Sequence, residues 1–390
     1  MDVEALKKSP IGQIAPISGQ DARRGPFFYF AYVPDPLPET VPLGEVTFGI
    51  VADAAMALGR LDMAADRVPN PMLLVRPALR KEAVSTSALE GTYAPLTEVL
   101  EGEVVGREVV SAEAREVINY VEAAELALEL LEQRPISVNM LAQLQKRLVA
   151  GTRGDAYDAG QLRQRLVLIG AEGAPIDRAR FVPPPPEQVA GGMAAWERWI
   201  HAEGPHLLVR VALGHYQFEA LHPFSDGNGR LGRLLVVLQL IEAGALKYPL
   251  LNIAEWLEPR RQEYQERLLQ LSIDGDFDPW VSFFCTAIRE QAQASIERID
   301  HLLALREGLL ERVLAGGSRG GTAYRVADEL IGFPIMDVPW VVKRHNVTYQ
   351  SARDALERLV AMGIMREIRR SGRTRRLFVC DKVLADLDRH

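Results

Sequence analysis

The chain is short of cysteine. Among 390 residues only Cys285 and Cys380 occur, neither with a CxxC neighbour nor in a histidine cluster, which excludes a disulfide framework and a zinc module and suits a reducing compartment. Long apolar runs are missing as well: the greasiest stretch, residues 234–246, is interrupted by Gln239 and Glu242, well short of a membrane span. The first ten residues, MDVEALKKSP, lack the apolar core of a signal peptide. The expectation is a cytoplasmic protein with no membrane partner. There is no excess of positive charge, since 45 lysines and arginines face 52 acidic residues for a net of −7, and wholesale coating of nucleic acid is thereby disfavoured. No internal repeat is found. What remains is ordinary for a globular protein: 48 % hydrophobic and 25 % charged residues, with enough length for about two or three domains.

Three breaks organise the chain. Proline-rich residues 34–42 precede apolar positions Val51, Ala55, Leu58 and Leu61, and VPNP follows at residues 68–71; short helices joined by turns are predicted there. Four prolines at residues 183–186 exclude helix and set a stiff extended segment. Just before them, RLVLIG at residues 165–170 and ARFV at 179–182 predict a small hairpin. The glycine-rich GGSRGG at residues 316–321 predicts a flexible tether after a long helix. Beyond it the tail is basic: from Thr322 onward 13 lysines and arginines face 9 acids, against 32 and 43 before it. Residues 340–345 and 347–364 predict two helices, the second with Thr348 as N-cap and Gly363 as the stop. Two strand-like runs around SGRT at residues 371–374 complete a winged-helix pattern. The predicted domains are an N-terminal helical region (1–110), a core (111–290), a connecting helix and linker (291–321) and a winged helix (322–390).

The chemistry is concentrated in LHPFSDGNGRLGRLL, residues 221–235. A helix ends at His222, because the residue before a proline disfavours α geometry, and a second helix is predicted from Leu231, Leu234, Leu235 and Leu238. The turn between them, Asp226, Gly227, Asn228 and Gly229, feeds a helix N-terminus whose backbone N–H groups lack intrahelical acceptors, a cradle for an anion. Arg230 and Arg233 share one helix face at that end, where two cations oppose the dipole unless a polyphosphate lies between them. Asp226 is a hard oxygen donor suited to Mg²⁺ beside phosphate oxygens, and His222 can take a proton from an incoming hydroxyl. Each feature alone has a bland explanation; together they point to phosphoryl or nucleotidyl transfer.

These residues resemble, position for position, the HxFx[DE]GNGRxxR signature of Fic-domain proteins, through His222, Phe224, Asp226, Gly227, Asn228, Gly229, Arg230 and Arg233. The resemblance implies a mainly α fold, a Fic-type helical core with a small β-hairpin flap, here followed by the winged helix. It implies transfer of AMP from ATP to a Ser, Thr or Tyr hydroxyl of a target protein, with His222 as base, Asp226 holding Mg²⁺ or Mn²⁺, and Gly227, Asn228, Gly229, Arg230 and Arg233 on the phosphates. Phe224 would pack inward. Gly229 separates the chain from the Doc-like kinases of this fold, which carry lysine there. A flap over residues 161–182 would align the target segment by main-chain pairing, and Asn252 and Tyr264 would border the adenine. His215 is predicted to be structural, with His201 and His206 near a helix start.

A second motif precedes the core. TSALEG, residues 86–91, predicts a helix that starts with Pro77 at its first position and stops at Gly91, leaving Glu90 at the unfavourable end of the dipole. It resembles the [ST]xxxE[GN] inhibitory motif of Fic proteins, which implies that Thr86, Glu90 and Gly91 form a brake in which Glu90 pairs with Arg233 and excludes the γ-phosphate. Arginines 366, 369, 370, 373, 375 and 376 crowd the wing, and Tyr349, Gln350, Ser351 and Arg353 could face a groove, so DNA is a candidate partner of the tail. Two alternatives share these residues: a DNA-binding regulator using the core as a nucleotide sensor, and an enzyme that removes AMP. A homodimer stays open.

Overall fold

The computed structural model describes residues 1–21, 24–156, 158–171, 173–317, 320–369 and 376–388. The chain opens with α1 (Val3–Leu6), β1 (Gly12–Asp21) and β2 (Gly25–Pro34), then α2 (Glu45–Ala65), α3 (Met72–Leu89), α4 (Leu96–Val105), α5 (Ala112–Leu131) and α6 (Val138–Val149). After an irregular stretch come α7 (Pro186–His201), α8 (Leu207–Leu221), α9 (Asn228–Glu242), α10 (Ile253–Leu257), α11 (Arg261–Asp274) and the 39-residue α12 (Phe277–Ala315). The tail holds α13 (Thr322–Glu329), β3 (Ile335–Met336), α14 (Val338–His345), α15 (Tyr349–Ala361), β4 (Arg366–Arg369), β5 (Arg376–Val379) and α16 (Asp381–Leu387). Fifteen of the sixteen helices in this order begin after residue 44, so the mainly α expectation holds.

Contacts divide these elements into two compact units that do not follow the predicted domain limits. One comprises residues 1–58, 119–247 and 256–290; the other comprises 59–118, 248–255 and 291–390. The tail and much of the N-terminal region thus share one unit, and α2, α5, α10 and α12 run through the boundaries.

In the first unit, the N-terminal region is not purely helical. β1 and β2 pair antiparallel from Gly12 opposite Pro34 to Asp21 opposite Gly25, because GPFFYFAYVP is rich in aromatic residues that favour a pleated surface. The β2 backbone accepts a further neighbour: the Tyr32 N–H donates to the Val182 carbonyl at 2.8 Å. Ile17 and Ala31 of the hairpin pack with Ala179 and Val182, and Tyr32 packs with Phe181 and Leu6. The predicted flap therefore leans on this hairpin. Among the described residues its own pairing is reduced to one bridge, Ile169 opposite Phe181, because Gly170 at φ 153° and the turn Ile176–Arg178 after Pro175 interrupt a longer ladder.

At the centre of the same unit lie α8 and α9. The sequence pattern predicts one buried face for α9, whereas twelve of its residues are buried, Arg230 and Arg233 among them. Indole N–H groups lock the surrounding helices to α8, with Trp196 Nε1 donating to the Gly214 carbonyl and Trp280 Nε1 to the Ala212 carbonyl, both at 2.8 Å. Buried Trp N–H groups ordinarily find such partners.

The second unit is built around α3, which is buried along most of its length. Arg80 bonds Glu103 at 2.8 Å and Arg76 bonds the same carboxylate. Lys81 Nζ donates to the Leu387 carbonyl at 2.9 Å, and the Glu82 carboxylate accepts the Ala254 N–H at 3.1 Å. Such pairing is what makes burial of charged side chains tolerable. Burial lowers the Lys81 pKa, partly offset by Glu255. The helix starts at Met72, earlier than predicted, and Pro77 lies inside it; the proline removes the N–H that would reach the Leu73 carbonyl. In the tail, Thr348 caps α15 by accepting the Ser351 N–H at 3.2 Å, Gly363 has φ 63°, and Ala352, Ala355, Leu356 and Leu359 are buried as expected. The strand order is β3-β5-β4; β3 and α16 were not foreseen.

Candidate functional site

The turn between α8 and α9 is shaped by its own residues. Pro223 has no N–H and disfavours α geometry before it, and His222 ends α8 in the left-handed region at φ 46°, ψ 61°, its N–H donating to the Phe218 carbonyl at 3.0 Å. For a residue with a Cβ this conformation costs about 1–2 kcal/mol. Gly227 caps α9 at φ 83°, and a Cβ there would lie 2.9 Å from Leu148 Cδ2, so glycine is required twice over. Phe224 is fully buried, as predicted.

Asn228 spends its carboxamide on the turn: Oδ1 accepts the Phe224 N–H at 2.9 Å and Nδ2 donates to the Phe224 carbonyl at 2.7 Å. What it offers an anion is therefore its backbone N–H in the first turn of α9, beside that of Gly229. Arg230 and Arg233 are 4 % and 2 % exposed, and Arg230 Nη2 lies 3.4 Å from Asp226 Oδ1. Two buried guanidiniums at the positive end of a helix are a strong demand for negative charge. The Asp226 side chain keeps about a third of its surface exposed. Among the described residues no three His, Cys, Asp or Glu side chains cluster as a metal site.

Side chains distant in sequence hold the turn from behind. Gln145 Nε2 donates to the Asp226 carbonyl at 3.1 Å, while Oε1 accepts the Gly160 N–H at 2.6 Å. Ser225 Oγ donates to Asp158 at 2.9 Å. Arg163, fully buried, reaches the His222 carbonyl at 2.7 Å. None of these three supports has a local signal, since each is a single polar residue in a segment without a motif.

His215 is structural, as expected. Its Nδ1 lies 3.0 Å from the Gly232 carbonyl and its Nε2 2.8 Å from Tyr264 Oη. A carbonyl only accepts, so Nδ1 carries the proton and Nε2 accepts from Tyr264. Burial pushes the imidazole down to about 3, and it stacks on Trp280 at 6.3 Å and 7°.

Residues 49–129 match the model of the Fic/DOC family N-terminal region, and residues 135–240 match that of the Fic/DOC family. Over these residues the chain is similar to the Fic/DOC family. Over 162 residues, 40 % of this chain, it is 32 % identical to the protein adenylyltransferase Fic of Drosophila melanogaster and 33 % identical to that of Drosophila yakuba. The match spans 29 % of the length of these relatives. A Fic family protein from Desulfovibrio desulfuricans has the same fold, with TM-score 0.58 and 20 % identity over 88 % of this chain and 98 % of that one. A Fic domain containing signaling protein from Bacteroides thetaiotaomicron aligns with TM-score 0.50 and 17 % identity over 65 % and 97 % of the two chains.

The other predicted residues fall as follows. Tyr264 is 4 % exposed and its hydroxyl is committed to His215, which leaves little of it to border a base. Asn252 belongs to the second unit; its buried carboxamide finds no hydrogen-bond partner among the described residues and lines a cavity of about 20 Å³ with Leu74, Pro77 and Ser295. His206 caps α8 as foreseen, whereas His201 is the last residue of α7. In the second unit, Thr86 is buried and Glu90 is the exposed C-cap of α3. Gly91 at φ 88° donates to Ala88 at 2.9 Å and Thr92 to Ser87 at 3.0 Å, the two bonds of a Schellman stop.

Of the basic tail, residues 370–375 lie outside the described set, including Arg370, Arg373 and Arg375. Arg353 bonds Glu357 at 2.9 Å, Arg376 bonds Glu367 at 2.8 Å, and Arg366 bonds Asp381. Ser351 and Gln350 are likewise bonded, to Thr322 and Asp354, and Tyr349 is 60 % exposed. No helix among the described residues is long and apolar enough to cross a membrane.

Proposed function

We propose that this chain is a protein adenylyltransferase that moves the AMP of ATP onto a Ser, Thr or Tyr hydroxyl of a target protein, itself included. The observation that carries it is the buried pair Arg230 and Arg233 at the N-terminal end of α9, with His222 across a glycine turn from them. The backbone N–H groups after Gly227 and the two guanidiniums bind the triphosphate, and His222 takes the proton of the incoming hydroxyl. The hydroxyl oxygen forms a bond to the α-phosphorus, the bond to the β-phosphate oxygen breaks, and pyrophosphate leaves with its charge held by the arginines. Asp226, one partly exposed carboxylate, suits Mg²⁺ or Mn²⁺, which commonly take one protein carboxylate and fill the remaining positions with phosphate oxygens and water. Such an ion would neutralise charge on the phosphates.

The same proposal includes the brake implied by resemblance, in which the Glu90 carboxylate competes with the γ-phosphate for Arg233. It also takes residues 322–390 as a winged helix. The test is incubation of the full chain with α-labelled ATP and Mg²⁺. Label should appear on protein, rise strongly in Glu90→Gly and vanish in His222→Ala. Label that survives His222→Ala would overturn the assignment of the base, and absence of label in every variant would overturn the activity.

A further inference from the structure

α8 ends in an unusual way. Left-handed His222 keeps one closing bond, its N–H to the Phe218 carbonyl at 3.0 Å, but Pro223 offers no N–H, so the Leu221 and His222 carbonyls lack the further backbone donors of a fuller stop. One side chain from 59 residues upstream replaces them. Arg163 Nε donates to the His222 carbonyl at 2.7 Å and Nη2 to the Leu221 carbonyl at 3.3 Å. Its own backbone N–H donates to the Pro223 carbonyl at 3.0 Å, so three consecutive carbonyls of the turn are held by this residue.

The rest of the guanidinium faces the flap. Nη2 also donates to the Pro184 carbonyl at 2.6 Å, and Nη1 donates to the Arg165 carbonyl at 3.1 Å. Residue 165 lies near the start of the predicted flap, residues 161–182, and residue 184 just past its end; among its described residues the flap is closed by a single bridge. Arg163 is fully buried, and all of these acceptors are main-chain carbonyls. Burial lowers its pKa to about 10, with Asp158 and Glu187 opposing the shift, so it stays charged at neutral pH. A buried cation at a helix C-terminus is favoured by the dipole, and the planar fork can serve several fixed acceptors where an ammonium cannot.

We propose that Arg163 is a positioning residue that sets His222 and the flap backbone, through residues 165 and 184, in one arrangement. The base and the segment that aligns the incoming hydroxyl are thereby kept in register by the same planar group. The phosphate cradle, at the start of α9, is built from other residues. Loss of Arg163 therefore impairs transfer while leaving ATP binding nearly intact. The rate arm of this inference rests on the adenylyltransferase reading.

The test uses the full-length chain with Arg163→Lys and Arg163→Ala. Transfer kcat should fall about 100-fold in both, the cost of a displacement near 1 Å, while KM for ATP changes by less than about threefold. Guanidinium ion added to Arg163→Ala should restore part of the rate, and added ammonium should not. In the wild-type chain, the Arg163 Nε–H should exchange slowly with solvent by NMR. A kcat within twofold of wild type, a loss confined to KM, or a fast-exchanging Nε–H would overturn the proposal. Should the substituted chains fail to fold, the exchange measurement on the wild type still decides whether the clamp exists. A wild type that labels nothing removes the activity but leaves that measurement standing.

Discussion

The carboxamide of Asn228 is bonded at both ends to the main chain of Phe224, four residues earlier, accepting its N–H at 2.9 Å and donating to its carbonyl at 2.7 Å. The pair closes the turn like one rung of an antiparallel ladder. Phe224 can then be driven fully into the core without leaving its peptide groups unsatisfied.

Asn228→Ala should accordingly destabilise the chain by several kcal/mol, about 1–3 for each buried group left unpaired. Asn228→Asp keeps one acceptor but sets a second oxygen against the Phe224 carbonyl, so it too should be less stable than the wild type. Urea unfolding of the three chains checks the order; an alanine variant as stable as the wild type would refute it.

His215 predicts a pH dependence. Its folded pKa of about 3 lies below the ordinary value of 6.5, so below pH 6.5 the unfolded chain binds a proton that the folded chain does not. The contribution is fully present above pH 6.5 and is lost as pH falls towards 3, by up to about 1.4 kcal/mol per pH unit. His215→Gln should be less stable at pH 7.5 yet show a shallower decline between pH 6 and about 4. Parallel declines in the two chains would contradict this.

Gly91 tests the stop of α3. It sits at φ 88°, and a Cβ added to it would meet nothing within 4 Å, so Gly91→Ala costs backbone strain alone, about 1–2 kcal/mol. Denaturant melts should show that loss, and hydrogen exchange should rise in the last turn of α3. A variant with unchanged stability would mean that the left-handed stop is not held in solution.

Much of the turn between α8 and α9 was legible because its determinants are local. Pro223 ends α8, Gly227 permits the left-handed cap, and Arg230 and Arg233 follow at fixed helical spacing. The tail was legible for the same reason: Thr348 and Gly363 mark their helix from within. Elements whose partners are remote were not. Tyr264 has the makings of a wall for adenine, but its hydroxyl belongs to His215, 49 residues away. The flap reads as a hairpin because residues 165–170 favour strand, yet Gly170 and Pro175 leave it one bridge, and its backing strand lies some 150 residues earlier, at Tyr32. Pro77 suggests a helix start because proline is common there; packing of α3 carries the helix through it.

What the sequence alone determined is the chemistry: which groups flank the glycine turn, where its helices stop and begin, and what kind of anion two adjacent guanidiniums demand. Those choices depend on dihedral preferences and on spacings of a few residues. Tertiary structure decided which of those groups remain available. It spent the Asn228 carboxamide on Phe224, gave Tyr264 to His215 and brought Arg163 beneath His222, because a buried polar group must find a partner wherever folding places one.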